Sequence, residues 1–448
     1  MRWKAFVIAT FLSANALAAE EPIPWFADAY PVALSIARLK KVPVVVDLWA
    51  PWCHTCLSMQ SFVFKDDSLK TVADRFVWVA VDTEKASNAS VLTKLPVEVW
   101  PTFYVLDPAN ESVAARQLGS MSIQQLRSFL DDGERAVAAA HKNEMKPGDP
   151  LALLAAGDAA AIQKKHAEAA RLYGEALAKT PRDWPRRGPA LVSRIRSLQK
   201  IPDPSACVDL ALAEAGSTGE AAAAGDFLSF GLDCADALPK TDARVAKLRG
   251  AALPRLTALA GDPSKPLSAD DRGDMWRMVW DIEEKLGNAA GARIAAERRL
   301  AVLDVAVAKA PDAWAASTYD GARMETYLYL GQPDAAVAFL KQSEAALPTD
   351  YNPSARLARA YLEWGRFGEA LAAVDRALPK AYGPRKAQIF RLKADILEKQ
   401  GRLDDAAKVV GEEIALWESL PAEQRRAPSM EAARKRLESL RATAQKKL

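Results

Sequence analysis

The chain has 448 residues, half of them hydrophobic, and its 60 Lys and Arg nearly balance 57 Asp and Glu. That balance lacks the basic footprint of a nucleic-acid binder, the length suffices for two hydrophobic cores, and three histidines are too few for a His-rich metal site. Four cysteines do not make a disulfide framework.

Residues 1–18 carry a signal-peptide pattern. Arg2 and Lys4 give a positive start, Ala5 to Leu12 a short apolar run, and Ala16-Leu17-Ala18 the small residues of a cleavage site near Ala18. The apolar run is too short to span a bilayer, and no later stretch of about 18 apolar residues is free of charge. The mature chain is therefore expected to be exported, in a bacterium to the periplasm, with no membrane span.

Residues 19–141 alternate strand and helix patterns. Ala33 to Lys41 reads as an amphipathic helix ended by Pro43. Val44 to Ala50 is a nearly continuous apolar run broken only by Asp47, as suits a central strand buried on both faces. It leads into Pro51-Trp52-Cys53-His54-Thr55-Cys56, a dithiol opening a helix. Cys53 falls near the helix N-terminus, where unpaired N–H groups and the helix dipole favour a thiolate. Cys56, one turn further in, is more buried and suited to resolve a mixed disulfide. A carboxyl buried at Asp47 is expected to have a raised pKa and could pass a proton to Cys56.

Beyond the dithiol, Asp66 or Asp67 caps a helix through Arg75, and Phe76 to Val81 is a strand. Pro101 opens another strand run, and a cis peptide bond there would turn the chain beside the dithiol. Thr102 to Leu106 and Val113 to Leu118 are strands joined by the turn residues Asp107-Pro108-Ala109-Asn110. Ser122 caps a closing helix to about Ala140. The strands at the dithiol and at Pro101 converge on one end of the sheet.

A Cys-x-x-Cys also fits half of a zinc site, but zinc needs a second ligand pair. Cys207 and Cys234 do not supply one, so neither a metal nor another cofactor is expected. His54 has two readings: a solvent-exposed, inert side chain, or a protonated neighbour that stabilises the thiolate.

Val46-Asp47-x-Trp49-Ala50-x-Trp52-Cys53-x-x-Cys56 followed by Pro101-Thr102-Phe103 resembles the thioredoxin superfamily over about residues 24–140. The resemblance implies an α/β thioredoxin fold, with a central mixed sheet flanked by helices. It matches Cys53 to the nucleophilic cysteine, Cys56 to the resolving one, Asp47 to the buried acid and Pro101 to the cis proline. Phe64-x-Asp66 and Val79-x-Val81-Asp82 look most like the C-terminal thioredoxin domain of bacterial membrane thiol:disulfide interchange proteins. Two departures bear on redox tuning and substrate contact: the dipeptide between the cysteines is His54-Thr55, and the bulky Trp100 precedes the proline. Trp52 joins these three as an expected substrate-contact or tuning residue.

Residues 142–150 read as a linker. From 151 to 448 the composition turns to alanine-rich helix with internal repeats. Gly331, Gly365 and Gly401 stand 34 and 36 residues apart, each with an alanine five residues on and a proline further along. This pattern resembles the tetratricopeptide repeat over about 315–422, with a single clear copy at 155–181 and a poor match at 183–285. It implies an all-α solenoid whose default role is binding a peptide or protein; a purely structural spacer is the other reading. The basic segment from Arg434 to Lys447 reads as a solvated last helix.

Cys207 and Cys234 invite a structural disulfide in an exported protein. If Gly216 to Thr218 turns a helical hairpin, however, Cys207 faces the neighbourhood of Asp226, and Cys234 lies about 12 Å further along its helix. A bond needs Cα atoms within about 7 Å, and hence a different turn.

Two function classes remain. One is a thiol–disulfide oxidoreductase that reduces protein disulfides, fed by a membrane-bound electron donor or discharging to an acceptor, with isomerase and oxidase as the alternative directions. The other is a repeat scaffold whose N-terminal domain serves mainly for recognition.

Overall fold

The computed structural model describes residues 21–142, 144, 146 and 148–445, with side chains to residue 443. The signal peptide expected at residues 1–18 lies outside the described residues.

Five strands form one mixed sheet: β1 (Trp25–Ala27), β2 (Val44–Trp49), β3 (Val77–Asp82), β4 (Thr102–Leu106) and β5 (Val113–Leu118), in the order β1-β3-β2-β4-β5. β1 and β2 run parallel to β3, whereas β4 is antiparallel to β2 and to β5. Alternation assigns the faces of β2. Val44, Val46 and Leu48 pack with Leu34 of helix α1 (Tyr30–Lys40), and Val45 packs in the opposite core. Asp47, two residues from Val45, shares its face. That face lies under the dithiol helix α2 (His54–Ser58), which continues through Met59–Val63 in a π conformation. Helix α3 (Ala89–Lys94) joins the α1 side, and α4 (Ile123–His141) closes the α2 side with Leu126, Phe129 and Leu130. This is the thioredoxin arrangement.

Several expectations need adjustment. α1 begins at Tyr30, three residues early, because Pro31 suits a first helical turn. The segment after Asp66 is two 3-10 turns, Asp67–Thr71 and Ala73–Arg75, rather than an α-helix. Leu69 and Val72, both buried, are three residues apart, a spacing that stacks side chains on a 3-10 turn. β1 went unread because three residues show no alternation.

From Pro150 to Gln445 the described chain is helical hairpins. The repeat glycines have one physical role: Gly331, Gly365 and Gly401 have φ of 75°, 78° and 74°, a left-handed conformation that ends the preceding helix. The alanines five residues later, Ala336, Ala370 and Ala406, are fully buried where helices meet.

The solenoid does not trail away from the sheet. Its first helices cover β5: Leu118 joins the core of the helices 150–199, and Arg116 reaches Asp158 (3.2 Å) and the Tyr173 hydroxyl (3.0 Å). Later helices reach the ends of β2 and β3, at the same end of the sheet as Leu118, where Asn352, Tyr382 and Gln424 bond to Pro51, Asp82 and Thr83. A solenoid that touches one small domain with both its early and its late helices must curve around it.

Cys207 and Cys234 are bonded, with Cα atoms 6.2 Å apart. The turn falls at the expected Gly216–Thr218, but it is a longer loop than a tight hairpin turn. The helices end at Glu214 and restart at Ala222, and Gly219 takes the positive φ of 78°. The segment between them is a loop centred on residue 218 rather than a tight turn, so the register counted from Gly216–Thr218 does not hold and Cys207 meets Cys234. Both are buried. Closing a loop across a sequence separation of 27 restricts the unfolded chain by roughly 3–4 kcal/mol. A Cys207→Ala/Cys234→Ala chain is expected to lose about that much stability in urea unfolding; a change below roughly 1 kcal/mol would show that the bond constrains nothing.

Candidate active site

The site is built from the C-terminal end of β2. Backbone pairing of Leu48 with Thr102 sets the end of β2 beside the start of β4, and therefore brings residues 50–53 near Pro101. The Trp100–Pro101 peptide bond is cis, as the resemblance implies. Cys53 is the N-cap of α2 and Cys56 lies in its first turn; they are bonded, with Cα atoms 5.2 Å apart. The Cys56 N–H donates to Cys53 Sγ (3.0 Å), so one of the helix's free donors points at this sulfur. Cys56 is the more buried, 1% against 4% for Cys53. Trp49, Trp52 and Trp100 pack around the pair.

Asp47 is fully buried, and its Oδ1 has no hydrogen-bond partner. Burial pushes its pKa up to about 8, with Gln60 offsetting a small part. This is the environment that the apolar strand run predicts.

His54 is neither inert nor alone. Its Nδ1 lies 2.9 and 3.0 Å from the two oxygens of Asp270, which is buried in the helix Ala269–Lys285. Its Nε2 lies 4.0 Å from Asp274. The Asp270 carboxylate raises the imidazole pKa well above its ordinary value, outweighing burial, so His54 is protonated at neutral pH. His54, Asp270 and Asp274 offer three atoms within 4.8 Å of one another, close enough to hold a cation. Positive charge is already supplied there by the imidazolium and by the Arg299 guanidinium, 3.9 Å from Asp274. An ion-pair cluster accounts for the geometry.

The dithiol also has a roof that sequence reasoning missed. Asn352 Nδ2 donates to the Pro51 carbonyl (3.1 Å). The Trp52 indole N–H donates to Glu84 Oε1 (2.9 Å), and the Arg385 backbone N–H donates to Glu84 Oε2 (2.6 Å). Tyr382 donates its hydroxyl to Asp82 (2.5 Å), and Gln424 Nε2 donates to the Thr83 carbonyl (2.9 Å). The Trp100 indole N–H donates to the Thr83 hydroxyl (2.9 Å), and the Trp52 and Trp100 rings meet at 5.2 Å. One signal was present: Gly383-Pro384 before a helix. Gly383 has φ 57°, and a Cβ there would stand 2.1 Å from the Glu84 carbonyl oxygen. Glycine is what lets the solenoid backbone come this close.

Comparison with known proteins agrees with this division. Residues 25–108 match a family model described as thioredoxin-like, and residues 327–396 match one described as tetratricopeptide repeat. The thiol:disulfide interchange protein DsbD of Yersinia enterocolitica is 34% identical over 109 residues, covering 24% of this chain and 19% of that protein. Protein disulfide-isomerase 1 of Dictyostelium discoideum is 27% identical over 90 residues, covering 20% of this chain and 24% of its own. The chain thus spans only about a fifth of the curated interchange proteins it matches. Among solved structures, a tetratricopeptide repeat protein from Parabacteroides merdae aligns with 64% of this chain and 98% of its own, at 12% identity and a TM-score of 0.41. The chain carries a thioredoxin-like region similar to those of interchange proteins, followed by a tetratricopeptide-like helical region. Relatives and site together support a thiol–disulfide redox function. No helix of the described residues is long and apolar enough to cross a membrane.

Proposed function

We propose that the chain is an exported, periplasmic thiol–disulfide oxidoreductase that reduces disulfides. The observation carrying this reading is the Cys53–Cys56 pair at a helix N-cap, with the Cys56 N–H on Cys53 Sγ and Asp47, its Oδ1 without a hydrogen-bond partner, buried on the same side of the sheet. The Cys53 thiolate attacks one sulfur of a substrate disulfide, forming a mixed disulfide beside Pro101 and releasing the first substrate thiolate. The Cys56 thiolate then attacks Cys53 Sγ and releases the second. Two electrons leave the dithiol, and Asp47 in its ionised form takes the Cys56 proton as that sulfur becomes nucleophilic. A dithiol donor must restore the pair; with no membrane-spanning helix among the described residues, a separate membrane-bound protein suits that role. The helical repeats supply protein-binding surface. Export rests on residues 1–18, and the direction of electron flow on the likeness to interchange proteins.

The roof favours a second reading, a scaffold whose dithiol is sealed, because Cys53 is only 4% exposed. One measurement separates them: the reduction potential of Cys53–Cys56 in the full chain against glutathione, read from alkylated peptides by mass spectrometry. The reductase reading expects a value near about −270 mV; one near about −120 mV would make the pair an oxidant. A pair that never exchanges with glutathione would leave the scaffold.

A further inference from the structure

The dithiol is bordered by two solenoid surfaces of opposite charge. On the α2 side lies a cleft of about 270 Å³ whose lining includes Thr55, Asp226, Asp271, Asp274 and Asp281. Most of these acids are committed. Asp271 accepts from Ser120 and Ser268, Asp274 lies against His54 and Arg299, and Asp281 pairs with Arg277. Burial also raises the pKa of Asp226, Asp271 and Asp274, which weakens their negative field.

The tryptophan side is different. The Arg385 guanidinium lies 5.6 Å from the Trp52 ring centre, and that of Arg426 lies 5.8 Å from the Trp100 ring centre. These are the two rings that meet each other and pack on the cysteine pair. Arg385 donates to the Gln388 amide (2.6 Å). Among the described residues neither guanidinium has a carboxylate within ion-pair distance. The nearby Glu84 gives its oxygens to the Trp52 indole and to the Arg385 backbone. Arg356, which also repels Arg385, has Asp320 at 3.8 Å. Two half-buried arginines, held on aromatic faces beside a reactive sulfur and sharing only the field of the already bonded Glu84, present positive charge that an anion can complete.

We propose that Arg385 and Arg426 form an anion-recognising rim, so that the substrate is a disulfide carrying a carboxylate or comparable anionic group close to its reacting sulfur. The proposal rests on the thiol–disulfide reading and specifies its substrate. Arginine suits the task because its planar fork stacks on an indole and still presents donors to a carboxylate. The helical region thereby contributes to substrate choice directly, from residues more than 325 positions beyond the cysteines.

The test uses the reduced full chain and three small disulfides: anionic glutathione disulfide, neutral hydroxyethyl disulfide and cationic cystamine. Each rate is divided by that of dithiothreitol with the same disulfide, to remove intrinsic reactivity. The expected order is anionic above neutral above cationic. The anionic-to-neutral ratio should fall roughly tenfold in Arg385→Gln/Arg426→Gln. Arg426→Gln alone, with a separate melting curve, guards against misfolding of the double variant. In the unaltered chain, raising salt to about 0.5 M should lower the same ratio. A ratio unmoved by the substitutions and by salt, or a preference for cystamine, overturns the proposal while leaving thiol–disulfide exchange intact. Failure to reduce any of the three would overturn the functional reading and this proposal together.

Discussion

Cys53→Ser is expected to lower disulfide exchange about a thousandfold or more, whereas Cys56→Ser keeps the first step and stops at the second. The asymmetry follows from geometry. Cys53 Sγ receives the Cys56 N–H at the helix N-cap, where a thiolate is favoured, and is the less buried sulfur of the two. Without Cys56 nothing inside the site displaces the substrate, so mixed disulfides on Cys53 should accumulate on non-reducing gels. Accumulation on Cys56→Ser but not on Cys53→Ser supports the assignment. The reverse pattern would exchange the two roles, and full activity in Cys53→Ser would remove the dithiol from the reaction.

Asp47→Asn is expected to stabilise the protein at neutral pH. The Asp47 pKa is raised to about 8 in the folded chain, against about 3.9 for an unfolded aspartate. Between those values the folded state holds a proton that the unfolded state has released, so stability falls as pH rises. Asparagine keeps the shape of the protonated acid and removes the titration. The variant's advantage in urea unfolding should grow by about 3 kcal/mol between pH 5 and pH 7 and level off above about pH 8. A constant difference across that range would mean that Asp47 is not held neutral. The same variant should slow release of the mixed disulfide, since Cys56 loses its proton acceptor. That pairing of gained stability with lost turnover is the expected signature of a buried functional acid.

What the sequence made legible was local. β4 and β5 follow the expected residues because apolar runs and an Asp-Pro-Ala-Asn turn bound them. The dithiol, Asp47 and Pro101 fall within one strand-turn-helix pattern and its neighbour. The repeat glycines announced their turns through the conformation only glycine adopts cheaply. What stayed hidden depends on distance along the chain. Asp270 is one of two acids in the first turn of a helix, after the cap Ser268, and nothing local marks it as the partner of His54. Asn352, Arg385 and Gln424 look like ordinary solenoid polar residues until the helices are curved back onto Pro51, Glu84 and Thr83. The Cys207–Cys234 bond depended on the length of the loop between two helices, which the residue types there do not fix.

The roof has a consequence for how the molecule comes together. Asn352 closes on Pro51 across 301 positions and Gln424 on Thr83 across 341. Contacts of that separation are slow to form, because the intervening chain must be ordered before they contribute. The thioredoxin-like sheet can assemble from its own short loops, but its sulfur pair acquires its final surroundings only when the last hairpins have wound into place. The loops beside the first cysteines to be synthesised are thus among the last parts to find their partners. The wall around the dithiol is therefore finished last, by the part of the chain that is made last.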